Sequence, residues 1–150
     1  MRKNNIRFAE NLVGEDIDWT LQLVCNMESA DVFEDGIYYY RISGNTRRSY
    51  GNEKSLDDQL KIIEKWLNKS MHSESKKHIL AFLAFQYAIV LPFYGALPSE
   101  TRKNYKDRIK ALRVLLKEGK TSKIRLVRTA VCLLGPDNAS RLLYKYVIRR

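Results

Sequence analysis

ILAFLAFQYAIVLPFYGAL, residues 79–97, runs for nineteen positions without a formal charge. Its reading decides the fold, because that length comes close to what a helix needs to cross a bilayer. Gln86, Tyr87, Pro92, Tyr94 and Gly95 dilute the run. The first expectation is a buried core helix within 73–97, interrupted near its end by Pro92. A membrane-spanning helix and an interfacial one are the alternatives. A core helix of this kind needs amphipathic partners on either side.

Both flanks supply them. Before the run, Leu56, Leu60, Ile63 and Leu67 mark a helix from Ser55 to about Asn68. After it, Pro98-Ser99-Glu100 opens a helix with Tyr105, Ile109, Leu112 and Leu116 on one face, and Gly119 ends it. Ile124, Val127, Ala130, Val131 and Leu134 predict a further helix, stopped by Gly135-Pro136. Asp137 or Asn138 then caps a last one carrying Leu142, Leu143, Tyr146 and Val147.

The front of the chain differs. Ile17, Leu21, Val24 and Cys25 have helical spacing, and Glu15, Asp16 and Asp18 fall in the first turn, where carboxylates complement the helix dipole. Val32-Phe33, the Asp35-Gly36 turn and Ile37–Ile42 read as strand, turn and strand. SGNTRRSYGN, 43–52, is a polar loop. The expected fold is mainly α: an N-terminal helix and a small β-hairpin over 1–52, then a basic bundle of four or five helices over 53–150.

At 150 residues, with 45% hydrophobic and 29% charged positions, the chain suits a folded unit rather than a disordered one. The N-terminus has no apolar core behind its basic residues, so it does not read as a secretory signal. Cys25 and Cys132 lie in apolar-periodic segments and are expected as buried free thiols of a reducing compartment. Charge is uneven. Residues 101–150 hold fifteen Lys and Arg against three acids, a net of +12, while residues 1–100 hold twelve against fourteen, a net of −2. A basic tail of that kind calls for an anionic partner.

Few residues offer chemistry. His72 and His78 are six apart, which is not the i, i+4 spacing of a helical metal site, so no metal ligands are assigned. There is no GxGxxG and no phosphate-binding Gly-Lys-Ser/Thr loop. Asp16-Ile17-Asp18 has the D-x-D form of a metal–nucleotide site, but it opens a helix instead of ending an apolar strand. What remains is the acidic cluster and Tyr38-Tyr39-Tyr40-Arg41. A carboxylate at a helix start is ordinarily structural. Held beside a hydroxyl it also serves as a general base, contributing about 10² to 10⁴ in rate.

Gly14-Glu15-Asp16-Ile17-Asp18-Trp19, followed by Leu21, Leu23, a β element and Tyr38–Arg41, resembles the C-terminal part of a bacterial family 2 glycosyltransferase of the GT-A fold. The motif resemblance covers about residues 8–50; the basic helices after it are similar only in general character. It implies that Asp16 is the catalytic base with Glu15 beside it. It also implies that Trp19, Asp18, Tyr40 and Arg41 lie near the acceptor, and that Arg47, Arg48 and Ser49 face donor phosphates. The family's nucleotide-sugar donor and its Mg or Mn ion belong to a nucleotide-binding half for which the 14 residues before the acidic pair leave no room. No cofactor is therefore expected in this chain. The processive Q-x-x-R-W motif is also absent. The resemblance thus implies a truncated or separately encoded piece, inactive alone and completed by another transferase chain, in the cytoplasm or at the inner face of the cytoplasmic membrane.

A rival reading is a basic helical module for an anionic membrane surface or a protein partner. In it, Arg102, Lys103, Lys106, Lys110, Arg113 and Lys117 surround the apolar stripe of helix 100–118. Nucleic-acid binding is disfavoured, because Tyr105, Tyr144 and Tyr146 read as core positions rather than a stacking platform.

Overall fold

A computed structural model of the chain describes residues 6–27, 29, 31 and 50–149, which form five α-helices and a short 3₁₀ segment with no strand among them. The helices are α1 (Glu15–Asn26), α2 (Glu53–Ser70), α3 (Lys76–Ala96), α4 (Ser99–Leu112) and α5 (Ser122–Ile148), with the 3₁₀ segment Arg113–Lys117 after α4. The hairpin expected from Val32 to Ile42 lies outside the described residues.

The uncharged run is the central helix. Ile79, Leu83, Ala84, Tyr87, Val90, Leu91 and Tyr94 are each at most 1% exposed. α2, α4, the 3₁₀ segment and α5 all pack on α3. By length and composition α3 would also cross a membrane, yet most of its apolar surface is taken up by other helices, Phe85 being left 49% exposed. Burying one such large side chain contributes about 1.5–3 kcal/mol, which makes α3 the main source of cohesion. Pro92 does not interrupt the helix as expected: α3 runs through it to Ala96. Proline removes one intrahelical donor, and so close to the C-terminus the lost bond leaves the helix intact.

α2 starts where Asn52 accepts a hydrogen bond from Ser55 N–H at 3.2 Å, an ordinary N-cap. Leu56, Leu60, Ile62, Ile63 and Trp66 face the core. The helix expected over 100–118 is two pieces: α4 ends at Leu112 and the chain tightens into the 3₁₀ segment, which turns Leu115 and Leu116 inward.

The two final helices expected on either side of Gly135-Pro136 are the two halves of α5, which breaks at a kink there. Gly135 sits at φ 73, ψ 161, a conformation essentially restricted to glycine, and Pro136 follows it. Neither Asp137 nor Asn138 caps the second half. Asp137 instead accepts hydrogen bonds from Tyr94 Oη and Arg102 Nε, both at 3.1 Å, and Asn138 donates to the Leu134 carbonyl across the kink at 3.2 Å.

The kinked helix touches α3 closely. A Cβ on Gly95 would lie 2.2 Å from the Ser140 carbonyl oxygen, so only glycine allows this approach. Two expectations about α5 change. Cys132 is exposed, as is Cys25 on α1, so neither is a core thiol. Tyr146 is 55% exposed and is not a core position, whereas Tyr105 is buried and Tyr144 rests against Tyr50 with ring centroids 5.9 Å apart.

Candidate functional site

The three carboxylates of the acidic cluster meet different fates. Gly14 at φ 88 sets the entry to α1, and the next turn carries Glu15, Asp16 and Asp18. Asp18 comes three positions after Glu15, and the helix turns it toward α2. Its side chain is 2% exposed and accepts hydrogen bonds from Lys65 Nζ at 2.7 Å, Trp66 Nε1 at 2.6 Å and Gln22 Nε2 at 2.9 Å. Burial alone would push the Asp18 carboxyl up. The Lys65 and Trp66 bonds outweigh it and hold the group below the usual carboxylate range. Both oxygens are engaged, so Asp18 pins α1 to α2.

Glu15 and Asp16 are exposed, and neither makes a side-chain hydrogen bond or ion pair among the described residues. They project into solvent at the positive end of the α1 dipole. Their helix is held from two directions. Asp18 fixes its first turns, and Asp58 of α2 fixes the approach by accepting from Val13 N–H at 3.1 Å and from Lys54, which also donates to the Asn11 carbonyl at 2.9 Å. These bonds hold Asp58 below the ordinary carboxylate range, with the Lys54 bond the largest cause.

Beside this start lies an open cleft of about 390 Å³, lined by Ala9, Asn11, Leu12, Val13, Glu15 and Lys54. Glu15 borders it; Asp16 is not among its lining residues. Trp19, one turn on from Glu15, is half-buried, and Phe8 stacks on its ring at 5.0 Å with planes 7° apart. The start of α1, held in place by Asp18, thus carries two exposed carboxylates, of which Glu15 borders the cleft, with Trp19 one turn on from Glu15. Chemically, a solvated carboxylate in such a place accepts a proton or a hydroxyl hydrogen bond. Tyr40, Arg41, Arg47, Arg48 and Ser49 lie outside the described residues.

No group of three or more His, Cys, Asp or Glu side chains is placed to hold a metal ion among the described residues, and His72 and His78 are both exposed. Lys65 and Trp66, the partners that separate Asp18 from its neighbours, escaped the sequence reading. Their link to Asp18 spans more than forty residues, and no local pattern announces it.

A second concave region occurs where the 3₁₀ segment faces the kink of α5. Arg113, Val114, Leu116, Lys117, Arg128, Val131, Cys132 and Gly135 enclose about 480 Å³. It depends on the Gly135 kink and so had no sequence signature beyond Gly-Pro. No protein-family model, curated protein or solved structure matches the chain.

Proposed function

We propose that this chain is the acceptor-side portion of a family 2-like glycosyltransferase, with Asp16 as the base that removes the acceptor hydroxyl proton as the sugar is transferred. The observation that carries the reading is the split of the acidic cluster, in which Asp18 anchors α1 while Asp16 is left solvated on the anchored helix. A base must be free to reach its proton and held so that it does so reproducibly. Asp16 meets both requirements; Asp18, engaged on both oxygens, meets only the second. Trp19, with Phe8 behind it, offers an apolar plate of the type on which sugar rings stack. In this reading Glu15 raises the negative potential beside Asp16, and Tyr40, Arg41, Arg47, Arg48 and Ser49 complete the acceptor and donor-phosphate contacts. The nucleotide-sugar and its divalent ion are held by a donor-binding half outside these 150 residues.

The test is reconstitution. The purified chain is incubated with nucleotide-sugar donors and lipid-linked or oligosaccharide acceptors, alone and with an α/β donor-binding half encoded beside it. Transfer is expected only from the pair. Transfer by the chain alone, or none from any pairing, rejects the reading.

A further inference from the structure

Three hollows along α4 adjoin one another. The largest, about 480 Å³ between the 3₁₀ segment and the kink of α5, shares Arg113 and Gly135 with a second of about 210 Å³. The second shares Tyr94, Lys106 and Asp137 with a third of about 230 Å³, which reaches Ser99 at the start of α4. Together they make one groove, with α4 and the 3₁₀ segment on one side and α5 on the other. From Ser99 to Lys117 it runs roughly 25–30 Å, at about 1.5 Å per residue in the α-helix and about 2.0 Å in the 3₁₀ turns.

The lining has two kinds of surface. Arg102, Lys106, Lys110 and Arg113 follow one another at helical spacing along α4, Lys117 continues the row, and Arg128 meets its end from α5. The lining holds one carboxylate, Asp137, and Arg102 already engages it at 3.1 Å. Between the cations the surface is apolar. Ile109, Leu116 and Val131 form the floor, while Val114 on one wall and Leu134 on the other are 50% and 46% exposed. Lack of an ion pair does not single out these cations, because Lys123 and Arg125 also have none among the described residues. Their alignment along an apolar groove does.

A row of cations this long does not converge on a single phosphate, and a bilayer surface does not enter a groove between two helices. Single-stranded nucleic acid stacks its bases on exposed rings. The one aromatic in the lining, Tyr94, is 1% exposed and donates its hydroxyl to Asp137. An amphipathic helix with acidic flanks matches both surfaces: apolar side chains one turn apart meet the floor, and carboxylates beside them meet the row of cations. We infer that the groove between α4 and α5 docks an acidic amphipathic helix of a protein partner. The inference stands independently of the transferase reading, because it uses none of residues 6–27.

The experiment is fluorescence anisotropy of the full chain with labelled synthetic probes. The first is a peptide of about 18 residues, the length of helix that spans the groove, with Leu at i, i+3, i+4 and i+7 and Glu elsewhere. The second has every Leu replaced by Gln, and the third is a single-stranded oligothymidylate of similar length. The variants are Lys106→Ala/Arg113→Ala/Arg128→Ala, Val114→Gln/Leu134→Gln and, as a control of equal charge outside the groove, Lys120→Ala/Lys123→Ala/Arg125→Ala. All eight positions are exposed, so the variants are expected to fold. The first peptide is expected to bind, with affinity lowered about tenfold by each groove variant and less than about threefold by the control. Four results overturn the inference: no binding of the first peptide; equal binding of the second, which indicates a simple polyanion site; tighter binding of the oligothymidylate, which indicates nucleic acid; or equal losses in the two charge triples, which indicate a diffuse field.

Discussion

Asp16 and Asp18 are two positions apart, and the turn of α1 sends one to water and the other against Trp66. Removing the buried one leaves the Trp66 N–H without its acceptor, while Lys65, 44% exposed, regains water. Asp18→Ala is therefore expected to cost about 1–3 kcal/mol in urea unfolding, the price of one orphaned buried donor rather than of a buried charge. The pH dependence has a definite sign. The Asp18 carboxyl lies below the usual range in the folded chain, so its stabilising effect is present above the unfolded value of about 3.9. It is lost as pH falls through the lower folded value. Asp57 and Asp58 are lowered as well, in each case chiefly by a lysine bond. Unfolding midpoints should drop below about pH 4, and Asp18→Asn should flatten part of that drop. The opposite sign is expected at the alkaline end for Tyr94 and Tyr105. Burial, and then their carboxylate neighbours, push both up to about 12, so each phenol stays neutral in the folded chain beyond pH 10 while the unfolded one ionises, and stability falls as pH rises from about 10 through about 12.

At the scale of elements, two glycines matter for different reasons. Gly95 has no room: an added Cβ meets the Ser140 carbonyl, and Gly95→Ala must push α5 off α3. Overpacking of this kind costs about 1–3 kcal/mol or more, and thermal unfolding of Gly95→Ala should show it. Gly135 has room, with nothing within 4 Å of an added Cβ, but its φ of 73 penalises any side chain. Gly135→Ala is expected to lose about 1–3 kcal/mol through strain alone. The elements themselves were legible in the sequence. The uncharged run, the Leu56–Leu67 stripe and the Gly-Pro stop all have local spacing that specifies a helix or its end. The break of α4 into a 3₁₀ segment, the passage of α3 through Pro92 and the exposure of Cys25 and Cys132 were not. Each is decided by what packs on the element, not by its own periodicity.

At the scale of the whole molecule, charge and packing are organised around α3. On α1 and α2, Asp18, Asp57, Asp58 and Glu64 bind lysines and Arg108; the basic second half has too few acids to pair its cations. That imbalance was readable as a net of +12 over residues 101–150, but which cations stay unpaired depends on which face of α4 meets α2. The candidate catalytic position was legible only through the motif around Gly14–Trp19. Its division into an anchor and a free carboxylate required the long-range contact with Trp66. The measurement that tests the account most directly is sugar transfer by the completed enzyme carrying Asp16→Asn, read together with its melting temperature. The account predicts a fall of about 10²–10⁴ in kcat with unchanged melting, since the Asp16 side chain makes no hydrogen bond or ion pair among the described residues. Undiminished transfer by Asp16→Asn would contradict it.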